Sequence, residues 1–180
     1  MSVKLDLSGK RALITGVSSG IGLGVAGVMA QAGCDVIGCG LEKTDSVGAK
    51  AFEDAVRQHG RVAHYTALDV ADTTALKAWV SEGAERMGGI DIVISNAGKD
   101  AFHGVENATQ TQWNRNFQVN LEAHWQLVVA AKPYLDEAAN PVVIVTASNH
   151  AFYTIKGCFP YNVAKAGLVA MVQSIAIEFG

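Results

Sequence analysis

Five short apolar runs alternate with stretches long enough for helices, and this alternation constrains the chain more than any other feature. The runs at 11–14, 35–39, 62–66, 91–95 and 142–145 have strand length and are dominated by Val, Ile and Leu. Between them, 21–32, 46–58, 72–87 and 109–135 carry apolar residues at helical spacing, and 161–178 follows as a last helix. Gly33 closes the first helix as a C-terminal cap, and Asp72 stands where an N-cap belongs. Strands separated by helices of this length build βαβ units, whose right-handed crossovers give a parallel sheet covered on both faces. The expected fold is therefore α/β, a doubly wound parallel sheet. Residues 1–180 read as one domain, with no linker, repeat or low-complexity segment.

Composition narrows the function classes. The 180 residues are 49% hydrophobic and 17% charged, as in an ordinary globular domain. A formal net charge of -3 supplies no general attraction for nucleic acid. No uninterrupted apolar run approaches the roughly 18 residues that cross a bilayer, and residues 1–6 lack a signal-peptide core, so a cytoplasmic protein without a membrane partner is expected. Cys34, Cys39 and Cys158 form no CxxC pair and read as free thiols. The histidines show no metal-ligand spacing, so no metal is expected. Trp79, Trp113 and Trp125 fall in helices and read as packing residues.

The chemistry lies at the strand ends. Thr15-Gly16-Val17-Ser18-Ser19-Gly20-Ile21-Gly22 follows the first strand and opens the first helix. Gly16 permits a tight turn, while Gly20 and Gly22 remove side chains where a pyrophosphate approaches the positive helix end. The spacing is G-x-x-x-G-x-G rather than the common G-x-G-x-x-G. Asp69-Val70 follows the third strand, where a carboxylate can accept from an adenine amino group. Asn96-Ala97-Gly98 ends the fourth, with an asparagine able to brace neighbouring strands and small residues leaving room for a nucleoside. Tyr161 and Lys165 share one helix face, and a neighbouring ammonium should lower a phenol pKa that is ordinarily about 10. A phenol tuned in this way passes a proton near neutral pH, as alcohol–carbonyl interconversion requires.

In order and spacing, Thr15-Gly16-x-x-x-Gly20-Ile21-Gly22, Asp69, Asn96-Ala97-Gly98, Asn120, Ser148 and Tyr161-x-x-x-Lys165 resemble the short-chain dehydrogenases/reductases across essentially the whole chain. The resemblance implies a Rossmann-type fold, NAD or NADP as cofactor and a small-molecule alcohol/carbonyl substrate. It makes Tyr161 the acid/base and has Lys165 lower its pKa and hold the nicotinamide ribose. Ser148 would steady the substrate oxygen, and Asn120 would hold a water linking Lys165 to solvent. Cofactor contacts are expected from Gly16, Ser18, Ser19, Gly20, Ile21, Gly22, Glu42, Asp69, Val70, Asn96, Ala97, Gly98, Tyr161 and Lys165.

Gly40 stands where members preferring NAD usually carry an acid, and Ser19 stands where NADP users often carry a base. Glu42, if it points inward, would repel a 2′-phosphate and favours NAD. Asn149, His150, Phe152, Tyr153 and Phe159, with Lys99, Asp100, Phe102 and His103, are candidates for the substrate wall. The last helix, apolar nearly all round, should be buried on more than one side and bring a second subunit close, as a homodimer or homotetramer. Ending at Gly180 straight after that helix, the chain reads as part of a longer polypeptide lacking the C-terminal strands. Two other readings use the same fold: a non-catalytic nucleotide sensor or scaffold, and an epimerase or dehydratase of the extended branch. The retained Tyr161 and Lys165 weigh against the first, the glycine spacing and Asn96-Ala97-Gly98 against the second.

Overall fold

A computed structural model describes residues 5–180. Five parallel strands lie in the order β3-β2-β1-β4-β5: β1 (Arg11–Thr15), β2 (Asp35–Gly40), β3 (Ala63–Ala67), β4 (Ile92–Ser95) and β5 (Val142–Val145). The helices are α1 (Gly20–Gln31), α2 (Val47–Arg57), α3 (Thr73–Met87), α4 (Gln110–Phe117), α5 (Ala123–Leu135) and α6 (Tyr161–Phe179). The strand order reverses direction at β1, which places a crevice beyond the carboxyl ends of β1 and β4.

Alternation along β1 divides the core. Ala12 and Ile14 face α1 and α2, packing with Ala26, Ala30, Phe52 and Val56. Leu13 faces α3 and α5, packing with Leu76, Trp79, Val80 and Leu127. Each large side chain so buried contributes about 1.5–3 kcal/mol. Side chains cap the helices as their sequences require: Ser46 accepts from Ala49 N–H, Asp72 from Ala75 N–H, and Thr109 forms a capping box with Gln112. Gly33 (φ +99°) and Gly88 (φ +73°) turn the chain out of α1 and α3 in the left-handed region.

Three expectations need correction. The single helix expected over 109–135 contains a wide π turn at Gln118–Glu122, between α4 and α5. Trp125 is 48% exposed and is not a core residue, unlike Trp79. The third concerns α6, which buries only Ala164, Lys165 and Leu168 within the chain; Val163, Val172, Ile177 and Phe179 are exposed. Its 19 residues and mean hydropathy of 1.2 match a membrane-crossing helix by length and composition. Its first two turns nevertheless bring Tyr161 and Lys165 to the crevice, the arrangement of a helix packed in the fold.

Candidate active site

The glycine turn begins where β1 ends. Gly16 (φ +75°) and Val17 donate their N–H groups to Cys39 O, at 2.8 and 3.1 Å, which folds the turn under β2. A Cβ at Gly22 would stand 2.1 Å from Gly16 O and 2.6 Å from Asn96 Nδ2. Gly22 therefore serves the packing of α1 against its own turn. Gly20 behaves differently: it takes φ +56° with nothing within 4 Å of a Cβ position. Ser19 is the N-cap of α1 yet makes no side-chain cap hydrogen bond, and no acidic residue lies in the first turn. The amides of that turn thus face the cleft without an internal acceptor, which suits a phosphate at a positive helix end.

Hydrogen bonds lock the β4 end beside this turn. Thr15 Oγ1 accepts from the N–H groups of Asn96 and Ala97, both at 3.0 Å. Asn96 Nδ2 donates to Thr15 O and Gly16 O, and Thr146 Oγ1 donates to Asn96 Oδ1 at 3.2 Å. Asn96 so ties β1 to the residue after β5. Thr15 opens the glycine motif, but Thr146 carries no distinguishing signal in the sequence, being one threonine after a strand.

Tyr161 opens α6 and Lys165 follows one turn later on the same face. Lys165 is 2% exposed; its Nζ donates to Thr146 O at 2.8 Å and lies 5.7 Å from the Tyr161 ring centroid. Burial lowers the ammonium pKa to about 8, partly offset by Asp100. Tyr161 departs from expectation: burial raises its phenol above the ordinary value, the Ser148 hydroxyl pulls it down through a hydrogen bond, and the charges of Asp100 and Cys158 raise it further. In the free protein desolvation is the largest influence on the phenol, and the neighbouring Nζ is turned to Thr146 O. Ser148 Oγ also accepts from His150 N–H at 3.1 Å.

Asn120 sits in the π turn and is fully buried. Its Nδ2 donates to Lys99 O and Asn116 Oδ1, both at 2.8 Å, and its Oδ1 accepts Lys99 N–H at 2.9 Å. A Cβ at Gly98 would lie 3.1 Å from Asn120 Oδ1 and 3.6 Å from Lys165 Nζ, so glycine lets the two approach. Both amide protons are spent on protein, which leaves Oδ1's second lone pair as the side chain's remaining polar capacity.

These groups border one cleft of about 580 Å³. Gly16, Ser18, Ser19, Gly20, Ile21, Asp69, Val70, Asn96, Ala97 and Gly98 line it together with Ser148, Tyr161 and Lys165, whereas Gly22, Glu42 and Asn120 do not. Asp69 Oδ2 is paired with Arg115 at 2.7 Å and its Oδ1 accepts Ala71 N–H, so it is no isolated acceptor. Arg115, also in the lining, escaped the sequence reading because the register linking α4 to the β3 exit is tertiary. Lys99, Asp100 and Asn149 reach the cleft from the expected substrate wall. Phe102 packs edge-on against Tyr161 (5.4 Å between centroids) and His150 (5.9 Å). Phe159 instead stacks on Trp113, while Phe152 and Tyr153 are 69% and 83% exposed. Among the described residues no three His, Cys, Asp or Glu side chains gather as a metal site.

A family model described as short chain dehydrogenase matches residues 10–180. The chain belongs to the short-chain dehydrogenase family. It is 30% identical over 169 residues to a D-beta-hydroxybutyrate dehydrogenase of Rhizobium meliloti, covering 94% of this chain and 65% of that protein. Against dehydrogenase/reductase SDR family member 4 of Homo sapiens it is 29% identical, covering 99% and 63%. Among solved members, a short chain dehydrogenase of Burkholderia cenocepacia in complex with NADP superposes with a TM-score of 0.90 at 31% identity, over 99% of this chain and 71% of that one. A carveol dehydrogenase of Mycobacterium avium in complex with NAD gives 0.89 at 25%, over 97% and 67%. The chain spans just under two thirds of the length of these two curated relatives.

Proposed function

We propose that this chain carries the cofactor-binding and catalytic part of an oxidoreductase that moves hydride between NAD or NADP and a secondary alcohol/ketone pair. The supporting observation is that one cleft holds, at one end, the uncapped first turn of α1 with the open Gly20 and, at the other, Tyr161, Ser148 and Lys165. The residues fit a dinucleotide: amides for a pyrophosphate, small Ala97 and Gly98 for a nucleoside, and a buried ammonium for ribose hydroxyls. The family membership and the cofactors of the two solved relatives agree with this fit.

The nicotinamide, when bound, supplies the hydride acceptor or donor. In the oxidation direction Tyr161 as phenolate takes the hydroxyl proton. Ser148 donates a hydrogen bond to the same oxygen as charge develops on it. Lys165 favours the phenolate electrostatically, and Asn120, by clamping Lys99, keeps the 96–99 turn against Lys165. Between the two cofactors, Glu42 favours NAD.

A partner copy of the same chain fits the exposed side of α6. Phe117, Leu121, Trp125, Gly167, Ala170 and Met171 line a groove of about 520 Å³ between α6 and the π turn region, where a Cβ at Gly167 would stand 3.2 Å from Leu121. Homo-oligomerisation through these helices covers that apolar surface. The enzymatic reading is tested by following the reduced-nicotinamide absorbance with NAD and NADP over a panel of secondary alcohols and ketones. Turnover with at least one pair is expected; silence across the panel, with the cofactor shown to bind, contradicts it.

A further inference from the structure

The question of how a 2′-phosphate is told from a 2′-hydroxyl has an unusual setting in this chain, because the last residue of β2 has no space for a side chain. A Cβ at Gly40 would stand 2.8 Å from Tyr65 Oη and 3.1 Å from Ser18 Oγ. Tyr65 comes from β3, is 4% exposed, and packs its ring against Phe52 at 6.2 Å. Its hydroxyl passes beneath Gly40 and donates to Glu42 O at 2.9 Å. The Glu42 side chain turns back toward the glycine turn: a Cβ at Gly48 would meet Glu42 Oε2 at 2.6 Å and Ser18 O at 2.5 Å. Ser18, Gly40 and Leu41 all line the cleft, so the carboxylate stands directly behind its rim.

We propose that Tyr65 is a positioning residue for cofactor choice: by holding the Glu42 backbone from below Gly40, it keeps the Glu42 carboxylate beside Ser18, where it disfavours a 2′-phosphate. This deepens the dinucleotide reading and rests on it. Residues 41–45 are exposed and follow the strand without further sheet pairing. A lone exposed carboxylate on such a loop is screened and mobile, and discriminates weakly. A hydrogen bond from a buried, rigid β3 side chain fixes where the loop leaves the sheet. Gly40 and Gly48 make this possible, since a side chain at either position would displace the hydroxyl or the carboxylate. Burial and the Glu42 charge raise the Tyr65 phenol, so it remains a protonated donor at neutral pH.

The test uses binding of two small probes, adenosine 5′-monophosphate and adenosine 2′,5′-bisphosphate, measured calorimetrically on the wild-type chain and on Tyr65→Phe, Glu42→Gln and the double variant. The account expects the bisphosphate to gain at least fivefold relative to the monophosphate in either single variant, with no further gain in the double. An unchanged ratio in Tyr65→Phe alongside a changed one in Glu42→Gln overturns the positioning role and leaves the dinucleotide reading standing. Equal weakening of both probes in Tyr65→Phe assigns it a purely structural role and likewise overturns the proposal. An unchanged ratio in Glu42→Gln removes the carboxylate from the discrimination altogether. Failure of the wild type to bind either probe defeats the dinucleotide reading itself.

Discussion

Lys165 Nζ lies 5.7 Å from the centre of the Tyr161 ring and donates at 2.8 Å to Thr146 O. The ammonium is thus anchored by the residue that follows β5 and aimed alongside the phenol. Its burial costs it protons, to a pKa of about 8, and the Tyr161 phenol is held up by its own burial. Asp100, which also lines the cleft, acts on both groups in the same sense.

Asp100→Asn should therefore lower both values together: Lys165 loses a charge that favours its ammonium, and Tyr161 loses one that opposes its phenolate. The basic-side titration of the free protein, followed by tyrosinate absorbance and by the NMR shift of Lys165 Cε, should move to lower pH for both. Opposite movement of the two groups contradicts the shared influence of Asp100.

His124 offers a prediction for acid stability. Burial drops its imidazole to about 3, against 6.5 ordinarily, with Ser95 Oγ 2.7 Å from Nδ1. Between those values the unfolded chain binds a proton that the folded chain does not, so this group favours unfolding increasingly as pH falls from 6.5 toward 3, at about 1.4 kcal/mol per unit within the window. Urea unfolding at pH 7 and pH 4.5 should show a smaller loss for His124→Gln than for the wild type. Equal losses contradict the buried neutral imidazole.

The two glycines at the start of α1 should separate cleanly. Gly20→Ala meets open space and only the strain of a positive φ, at a cost of about 1 kcal/mol. Gly22→Ala drives a methyl into Gly16 O and Asn96, and overpacking of a rigid turn costs about 1–3 kcal/mol or more. Denaturant midpoints of the two variants measure the difference; equal losses contradict the packing role of Gly22.

Ala170→Glu places a charge in the groove beside Met171 and Trp125. Sedimentation should find an oligomer for the wild type and a smaller species for the variant, with helical content unchanged. A wild-type monomer at micromolar concentration contradicts pairing through α6.

Much of the fold is written in local pattern. The five strands are short, mostly apolar runs, and the α1 and α3 ends carry Gly33 and Gly88, so element type and order follow from periodicity and caps. The cleft residues at strand ends were legible for the same reason, since a parallel sheet presents those ends together. What escaped depends on pairings far apart in sequence. The π turn around Asn120 is drawn by Lys99 across a separation that no helix pattern reports. Likewise the Arg115–Asp69 pair joins α4 to the β3 exit, and the direction of the Tyr161 shift depends on how deeply the phenol is buried. The exposed flank of α6 also departs from its apolar sequence, because composition does not say which neighbour covers a helix.

The central claim is that Tyr161 exchanges the proton with substrate beside a bound nicotinamide, and Tyr161→Phe tests it most directly. The account predicts that this variant binds NAD within about threefold of the wild type, while hydride transfer in single turnover falls by at least about a hundredfold at every pH. Near-wild-type transfer in Tyr161→Phe, with the cofactor bound, would contradict it.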